Sequence, residues 1–330
     1  VRFAPTSCAG LDALLVPRTH VRDVDARSHG DQHRERWEAA KSAQHGRLIV
    51  RDVRERREPG IMESRMWAAL RDDRRGARER FGKYEVLCHL ATGGMAEIHL
   101  ARARGLRGFE KLVVLKRMLP QTATSPELVR MFLDEARLVA TLDHPNITHV
   151  HDVGRARGRY FFTMEYVHGE DLGSVMTAAT RAGGRLPIEQ AVNIVALAAA
   201  GLHHAHTKTD AEGRPLNIVH RDVTPSNVLV SYEGSVKVSD FGVAKWAAQQ
   251  TETQYGTLKG KIPYMSPEQA RCEALDGRSD VFALGILLYE LVTGTRLHQG
   301  TNDYAVLTRI IHEDAPPPSR TRPDVPPGLD

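Results

Sequence analysis

Three textures of hydrophobic and polar positions follow one another along the chain. Residues 1 to about 80 show no sustained period, lack aromatic density and carry charge runs such as Arg54-Glu55-Arg56-Arg57-Glu58. That segment reads as a mostly disordered tail with at most a transient helix near 62–70. From Tyr84 short apolar–polar runs (84–90, 96–102, 111–118) are separated by glycine-bearing turns, which predicts an antiparallel sheet. Ser125-Pro126-Glu127 then opens a helix, with Ser as cap, Pro in the first turn and Glu at the positive end of the dipole. Its apolar stripe is Leu128, Met131, Phe132, Leu138, Val139 and Leu142. Further strands are predicted over 149–153 and 160–167, helices over 172–180 and 188–206, and brief strands over 227–231 and 235–239. The remainder is helical, and 281–291, apolar on nearly all sides, predicts a buried helix with Asp280 as its cap.

These elements add up to an α+β chain. A tail over 1–82 precedes a small antiparallel sheet lobe with one helix (83–166) and a larger, mostly helical lobe (167–330). With 330 residues, 41% of them apolar, there is ample chain for a core, and no run approaches the ~18 apolar residues of a membrane span. Pro5, Cys8 and Pro17 around a short Leu-Leu-Val run make a poor secretory signal. Cys8, Cys88 and Cys272 lack metal-ligand spacing, which favours a reduced, cytoplasmic setting.

The net charge of +4 is unevenly placed: residues 1–80 hold 18 Lys and Arg against 13 Asp and Glu, leaving 27 against 28 beyond them. The basic character therefore belongs to the tail. Nucleic-acid binding by that tail is the weakest of the readings, since mixed-charge stretches are more often simply solvated. Only nine of the cations are lysines, so Lys116 at the end of the apolar run Leu112-Val113-Val114-Leu115 stands out. Glu135 falls on the apolar stripe of the following helix, where a carboxylate costs several kcal/mol unless paired. Lys116 is its natural partner.

The strongest chemical signal is His220-Arg221-Asp222-Val223-Thr224-Pro225-Ser226-Asn227, followed thirteen residues after Asn227 by Asp240-Phe241-Gly242. An Asp, an Asn and a second Asp around a short β-hairpin can hold magnesium and a nucleotide phosphate beside a substrate hydroxyl. A loop, Leu90-Ala91-Thr92-Gly93-Gly94-Met95-Ala96-Glu97-Ile98, lies between two predicted strands, where backbone N–H groups can close over phosphates. His203, His204 and His206 fall on different helix faces and read as structural.

In order and spacing these motifs resemble those of the protein kinase family, and the Gly-Gly-Met loop and Tyr264-Met265-Ser266-Pro267-Glu268-Gln269 look most like its bacterial, eukaryotic-like Ser/Thr branch. The resemblance implies a two-lobed kinase fold from about Tyr84 onward, Mg²⁺ and ATP as cofactors, and transfer of the γ-phosphate to Ser/Thr side chains of protein substrates. It implies Asp222 as the group orienting the hydroxyl, Lys116 and Glu135 as the phosphate-positioning pair, and Asn227 and Asp240 as metal ligands. The nucleotide pocket would be formed by Ala91, Thr92, Gly93, Gly94, Met95, Ala96, Ile98, Val114, Met164 at its back, Leu229, and the backbone of Glu165 and Val167. Asp171, with Glu170 as the alternative, would meet the ribose. Arg221 implies a basic pocket for a phosphorylated activation segment, in which Thr251, Thr253 and Thr257 are the phosphorylation candidates, with a dimer as one route to trans-autophosphorylation. Asp280 would brace the catalytic loop.

Three departures stand out. Ala91 and Ala96 replace the first and third glycines of the loop. Thr224 stands where Ser/Thr members carry a γ-phosphate-contacting Lys, and Lys261 where they carry Thr. One expectation is that Lys261 supplies the charge that Thr224 lacks, with the Thr224 hydroxyl holding it; an unrelated surface lysine is the other. The family's Arg partner of Glu268 is expected beyond Asp330, Arg320 and Arg322 being poor substitutes, so the chain is expected to lack the final helices of the large lobe. An active kinase and a nucleotide-binding pseudokinase acting as a scaffold are the two leading readings.

Overall fold

In the computed structural model, residues 79–242 and 261–330 are described. The first lobe is a six-stranded antiparallel sheet in the order β1-β2-β3-β4-β6-β5. Its strands are β1 (Arg80–Phe81), β2 (Tyr84–Thr92), β3 (Ala96–Arg104), β4 (Glu110–Met118), β5 (Val150–Ala156) and β6 (Arg159–Glu165). The tail boundary expected at 82 falls inside this sheet. Arg80 and Phe81 pair with Glu85 and Tyr84, and Phe81 is packed with Tyr84, Val113 and Phe161. A two-residue strand has no period to read; only the burial of Phe81 marks it.

The helix α1 (Pro126–Ala140) begins as its sequence demands, with the Ser125 hydroxyl accepting from Leu128 N and Pro126 in the first turn. Its buried positions, Met131, Phe132, Glu135, Ala136 and Val139, form one stripe at helical spacing. Phe132 and Ala136 pack with Ala96, Met118, Phe162 and Met164, so α1 lies on the sheet face that also carries Lys116. The Ala96 methyl is part of this cluster, which explains why a side chain is tolerated at that position.

The second lobe is built on α2 (Leu172–Arg181), α3 (Ile188–His206), α4 (Pro267–Ala270), α5 (Gly277–Thr293) and α6 (Asp303–His312). Helix α5 is buried along most of its length, as its uniform apolarity predicts. Its start differs from the expectation. Asp276, not Asp280, is the N-cap, and its carboxylate accepts from Arg278 N at 2.9 Å. Asp280 lies within the first turn and is 1% exposed. Acidic residues favour both positions, so local sequence does not separate a cap from a buried bracing group.

A second, three-stranded sheet, β7 (Gly169–Asp171), β8 (Val228–Ser231) and β9 (Val236–Val238), positions the chemistry. Asn227 precedes β8 and Asp240 follows β9, so one hairpin carries both. At Gly169 the β7 and β8 backbones approach so closely that a Cβ would lie 2.1 Å from Val230 O and 2.5 Å from Ser231 Cα. Both obstacles are backbone, which cannot swing aside. Gly169→Ala is expected to destabilise the fold by about 2–4 kcal/mol in a denaturant titration. An effect below about 0.5 kcal/mol would show that the close approach is not real. Among the described residues no helix is long and apolar enough to cross a membrane.

Candidate active site

The sheet brings the expected nucleotide-facing side chains to one face by register alone. Cross-strand partners share a face of a sheet, and the observed pairs are Ala91–Ile98, Ile98–Lys116 and Val114–Met164. Ala91, Ile98, Val114, Lys116 and Met164 therefore point the same way. The loop between β2 and β3 is closed by Gly93 N donating to Ala96 O at 2.8 Å. Thr92, Gly93 and Gly94 are exposed, and the Met95 carbonyl is held by Leu119 N and the Thr122 hydroxyl. Val167 lies in the short connector between β6 and β7. In the second lobe Leu229 is partly buried and points away from the face that its buried neighbours Val228 and Val230 share.

Lys116 is the hub. Its Nζ donates to Glu135 Oε1 at 2.7 Å and to Asp240 Oδ1 at 3.0 Å, joining β4, α1 and the segment after β9. Burial alone would push this ammonium's pKa down, but the carboxylates of Asp240 and Glu135 outweigh it and hold the group above its ordinary value. It is therefore a fixed cation across the working pH range. Removing one partner leaves a buried charge uncompensated. Lys116→Met is accordingly expected to weaken triphosphate binding at least about tenfold in a fluorescence titration, the hydrogen bonds of a charged group being worth roughly 1.5–3 kcal/mol; unchanged affinity would remove Lys116 from the nucleotide site.

The segment 220–227 is held by Asp280 of α5. Asp280 Oδ2 accepts from His220 N at 2.8 Å, its Oδ1 accepts from Arg221 N at 2.8 Å, and His206 Nε2 lies 2.7 Å from Oδ2. Arg221 and Asp240 both adopt left-handed backbone (φ 65 and 56), which costs of order 1–3 kcal/mol in a non-glycine residue and persists only where neighbours over-determine it. For Arg221 those neighbours are Asp280 and Gln269, whose Nε2 donates to Arg221 O at 2.8 Å. For Asp240 the neighbours include Lys116. Gln269 was legible in part, because Ser266-Pro267-Glu268-Gln269 spells the capping box that is observed. Its reach to the loop had no local signal. The same holds for His206, expected to be structural and here bound to Asp280, while His204 stacks on His144 at 5.1 Å between centroids.

Asn227 Nδ2 donates to Asp222 O at 2.7 Å and to Asp222 Oδ2 at 3.1 Å. The amide nitrogen is thereby committed to Asp222, and the amide oxygen is turned the other way. That oxygen and the Asp240 carboxylate are both hard oxygen donors, the chemistry that suits Mg²⁺. The His220 and Phe241 rings pack against each other, tilted, with centroids 4.5 Å apart. Asp171 caps α2, accepting from Ser174 N at 3.0 Å and from the Ser174 hydroxyl at 2.7 Å, while Glu170 accepts from the Tyr232 hydroxyl at 2.9 Å.

Lys261 is close to Asp222, its Nζ 2.6 Å from Oδ2. Thr224 does not hold it. The Thr224 hydroxyl pairs with that of Ser226 at 2.9 Å, because the tight Pro225 turn brings the two together. Glu268 accepts from the Ser279 hydroxyl, and Arg322 donates to Leu186 O and Val292 O, away from Glu268. Thr251, Thr253 and Thr257 lie outside the described residues.

The protein kinase domain family matches residues 84–324. The tyrosine-protein kinase MasK of Myxococcus xanthus is 46% identical over 250 residues, covering 76% of this chain and 39% of that protein. The serine/threonine-protein kinase PrkC of Bacillus subtilis is 35% identical (74% of this chain, 36% of that protein), and PknB of Mycobacterium leprae is 36% identical (75% and 38%). This chain thus spans less than half the length of these relatives. Among solved structures, the PknI kinase domain of Mycobacterium tuberculosis superposes with a TM-score of 0.53 at 28% identity, covering 76% of this chain and 85% of that one. A lysine-centred lobe junction, a braced Asp-Asn loop and these matches lead to one assignment: the chain belongs to the protein kinase family, in its bacterial, eukaryotic-like Ser/Thr branch.

Proposed function

We propose that this chain transfers the γ-phosphate of ATP to Ser and Thr hydroxyls of proteins. The observation that carries the reading is the Lys116 bridge. One ammonium joins Glu135 of the first lobe to Asp240 of the second, beside a loop in which Asn227 is locked to Asp222. The attacking hydroxyl would be oriented by Asp222, which accepts its proton late as the oxygen–phosphorus bond forms and the bond to the β-phosphate oxygen breaks. Lys116 offsets charge on the α- and β-phosphates. Asn227 and Asp240 would hold Mg²⁺, which supplies charge neutralisation at the β- and γ-phosphates. Asp171 keeps lone pairs beyond its cap bonds with which to accept from a ribose hydroxyl.

We assign this activity to the region from residue 83 onward and place it in the cytoplasm, where ATP is available, with Thr251, Thr253 and Thr257 as self-modification sites within a transient dimer. Incubation with Mg·ATP followed by phosphopeptide mapping tests it. Phosphate on Ser or Thr is expected, and no transfer at all would leave a scaffold that only binds nucleotide. A tyrosine acceptor has one observation behind it, the name of the 46% identical relative. Phosphotyrosine in the same map, without phosphoserine or phosphothreonine, would overturn the Ser/Thr assignment.

A further inference from the structure

We propose that Lys261 is a working part of the phosphoryl-transfer site: it fixes the Asp222 carboxylate and supplies the positive charge that position 224 does not. The inference rests on the activity proposed above and names a residue that acts in it.

The geometry points to this in three steps. Lys261 Nζ and Asn227 Nδ2 both contact Asp222 Oδ2, at 2.6 and 3.1 Å, so the carboxylate is pinned in rotation and Oδ1 is turned the other way. A carboxylate that must meet a hydroxyl in one orientation gains from such pinning. Next, a cation that close to Asp222 also stands beside the phosphoryl group in transfer, where negative charge is spread over three oxygens. Thr224, 4% exposed and paired with Ser226, brings no charge there.

Finally, the chain around Lys261 is built to hold it. Its carbonyl accepts from Tyr264 N at 3.0 Å, opening the turn Ile262–Tyr264. Ile262 is buried against Val306 and Ile310, and the Tyr264 hydroxyl donates to Glu290 Oε2 at 2.8 Å. Burial pushes the Glu290 carboxyl up, and the Tyr264 hydroxyl bond counters only part of that shift. The backbone of Lys261 is thus held by two cores, while its side chain is 30% exposed.

The test compares the parent chain with Lys261→Met, which keeps the packing of the stem, with Lys261→Thr, and with the exchange Thr224→Lys/Lys261→Thr. Self-phosphorylation rates and affinities for a non-hydrolysable triphosphate analogue and for ADP are measured on each. The account expects Lys261→Met and Lys261→Thr to lower the maximal rate at least about tenfold with KM for ATP within about threefold, a factor of ten being 1.36 kcal/mol in the barrier. It expects the affinities of Lys261→Met for the triphosphate analogue and for ADP to stay within about threefold of the parent, and the exchange variant to recover to within about threefold of the parent rate. A purely structural lysine would not be rescued by a lysine at 224. The inference is overturned if Lys261→Met stays within about twofold of the parent, if it raises the rate, as release of an inhibitory latch would, or if the exchange is no better than Lys261→Thr. A parent chain that transfers no phosphate sinks the proposed activity instead, so the two failures are told apart.

Discussion

Asp222→Asn is expected to lower phosphoryl transfer by about a thousandfold while leaving nucleotide affinity within about threefold. The substitution keeps the shape of the side chain. It removes the group that accepts the hydroxyl proton and the ion pair to Lys261 at 2.6 Å. The Asp222 backbone carbonyl still accepts from Asn227 Nδ2 at 2.7 Å, so the metal-side donors keep their footing. Rate and affinity should therefore part company, which distinguishes loss of chemistry from loss of the site. The check is a single-turnover measurement with saturating Mg·ATP beside a binding titration on the same preparation. A variant within about tenfold of the parent rate would place the proton acceptor elsewhere.

Asp280→Ala carries the largest expected effect on stability. The carboxylate is 1% exposed and accepts from two backbone N–H groups and a histidine. Its loss leaves the His220 and Arg221 donors buried without it, at roughly 1–3 kcal/mol for each unsatisfied group. It also removes what stabilises the left-handed Arg221 from the α5 side. A loss of about 3–5 kcal/mol in chemical denaturation is expected, together with a fall in transfer rate under conditions where the chain is still folded. Asp280→Asn, which keeps one carbonyl acceptor, should fall between parent and Ala. A change below about 1 kcal/mol for the alanine variant would show that the loop does not depend on this brace.

What could be seen in the sequence follows from where information is local. Glu135 declared itself because a carboxylate on an apolar stripe has to be paired, and Lys116 at the end of an apolar strand was the partner on offer. The helix Ile188–His206 was legible to the residue, being long and periodic, while strand ends differed by one to three residues, pairing running past the expected end to Thr92 and Ala156 and stopping short of it at Glu165 and Val238. The hairpin that carries Asn227 and Asp240 was legible in the short apolar runs over 227–231 and 235–239. The cap of α5 was not, since Asp276 and Asp280 are one helical turn apart and equally acidic. Nor was the strand at Arg80–Phe81, which is held by packing against Tyr84 and Phe161 and not by pattern. The exchange of Thr and Lys between 224 and 261 was visible in the chain, but the partner of Thr224 was not. A two-residue contact to Ser226 across a proline turn outcompeted the longer reach to Lys261.

The central claim is that Lys116, Glu135, Asp222, Asn227 and Asp240 make one magnesium–nucleotide site between the lobes. Its most direct test is calorimetric titration of a non-hydrolysable ATP analogue with and without Mg²⁺, on the parent and on Asp240→Asn. The account predicts that Mg²⁺ tightens binding at least about tenfold in the parent, about 1.4 kcal/mol, and that the variant loses most of this gain. Binding that ignores Mg²⁺ in the parent, or a variant that keeps the full gain, would contradict it.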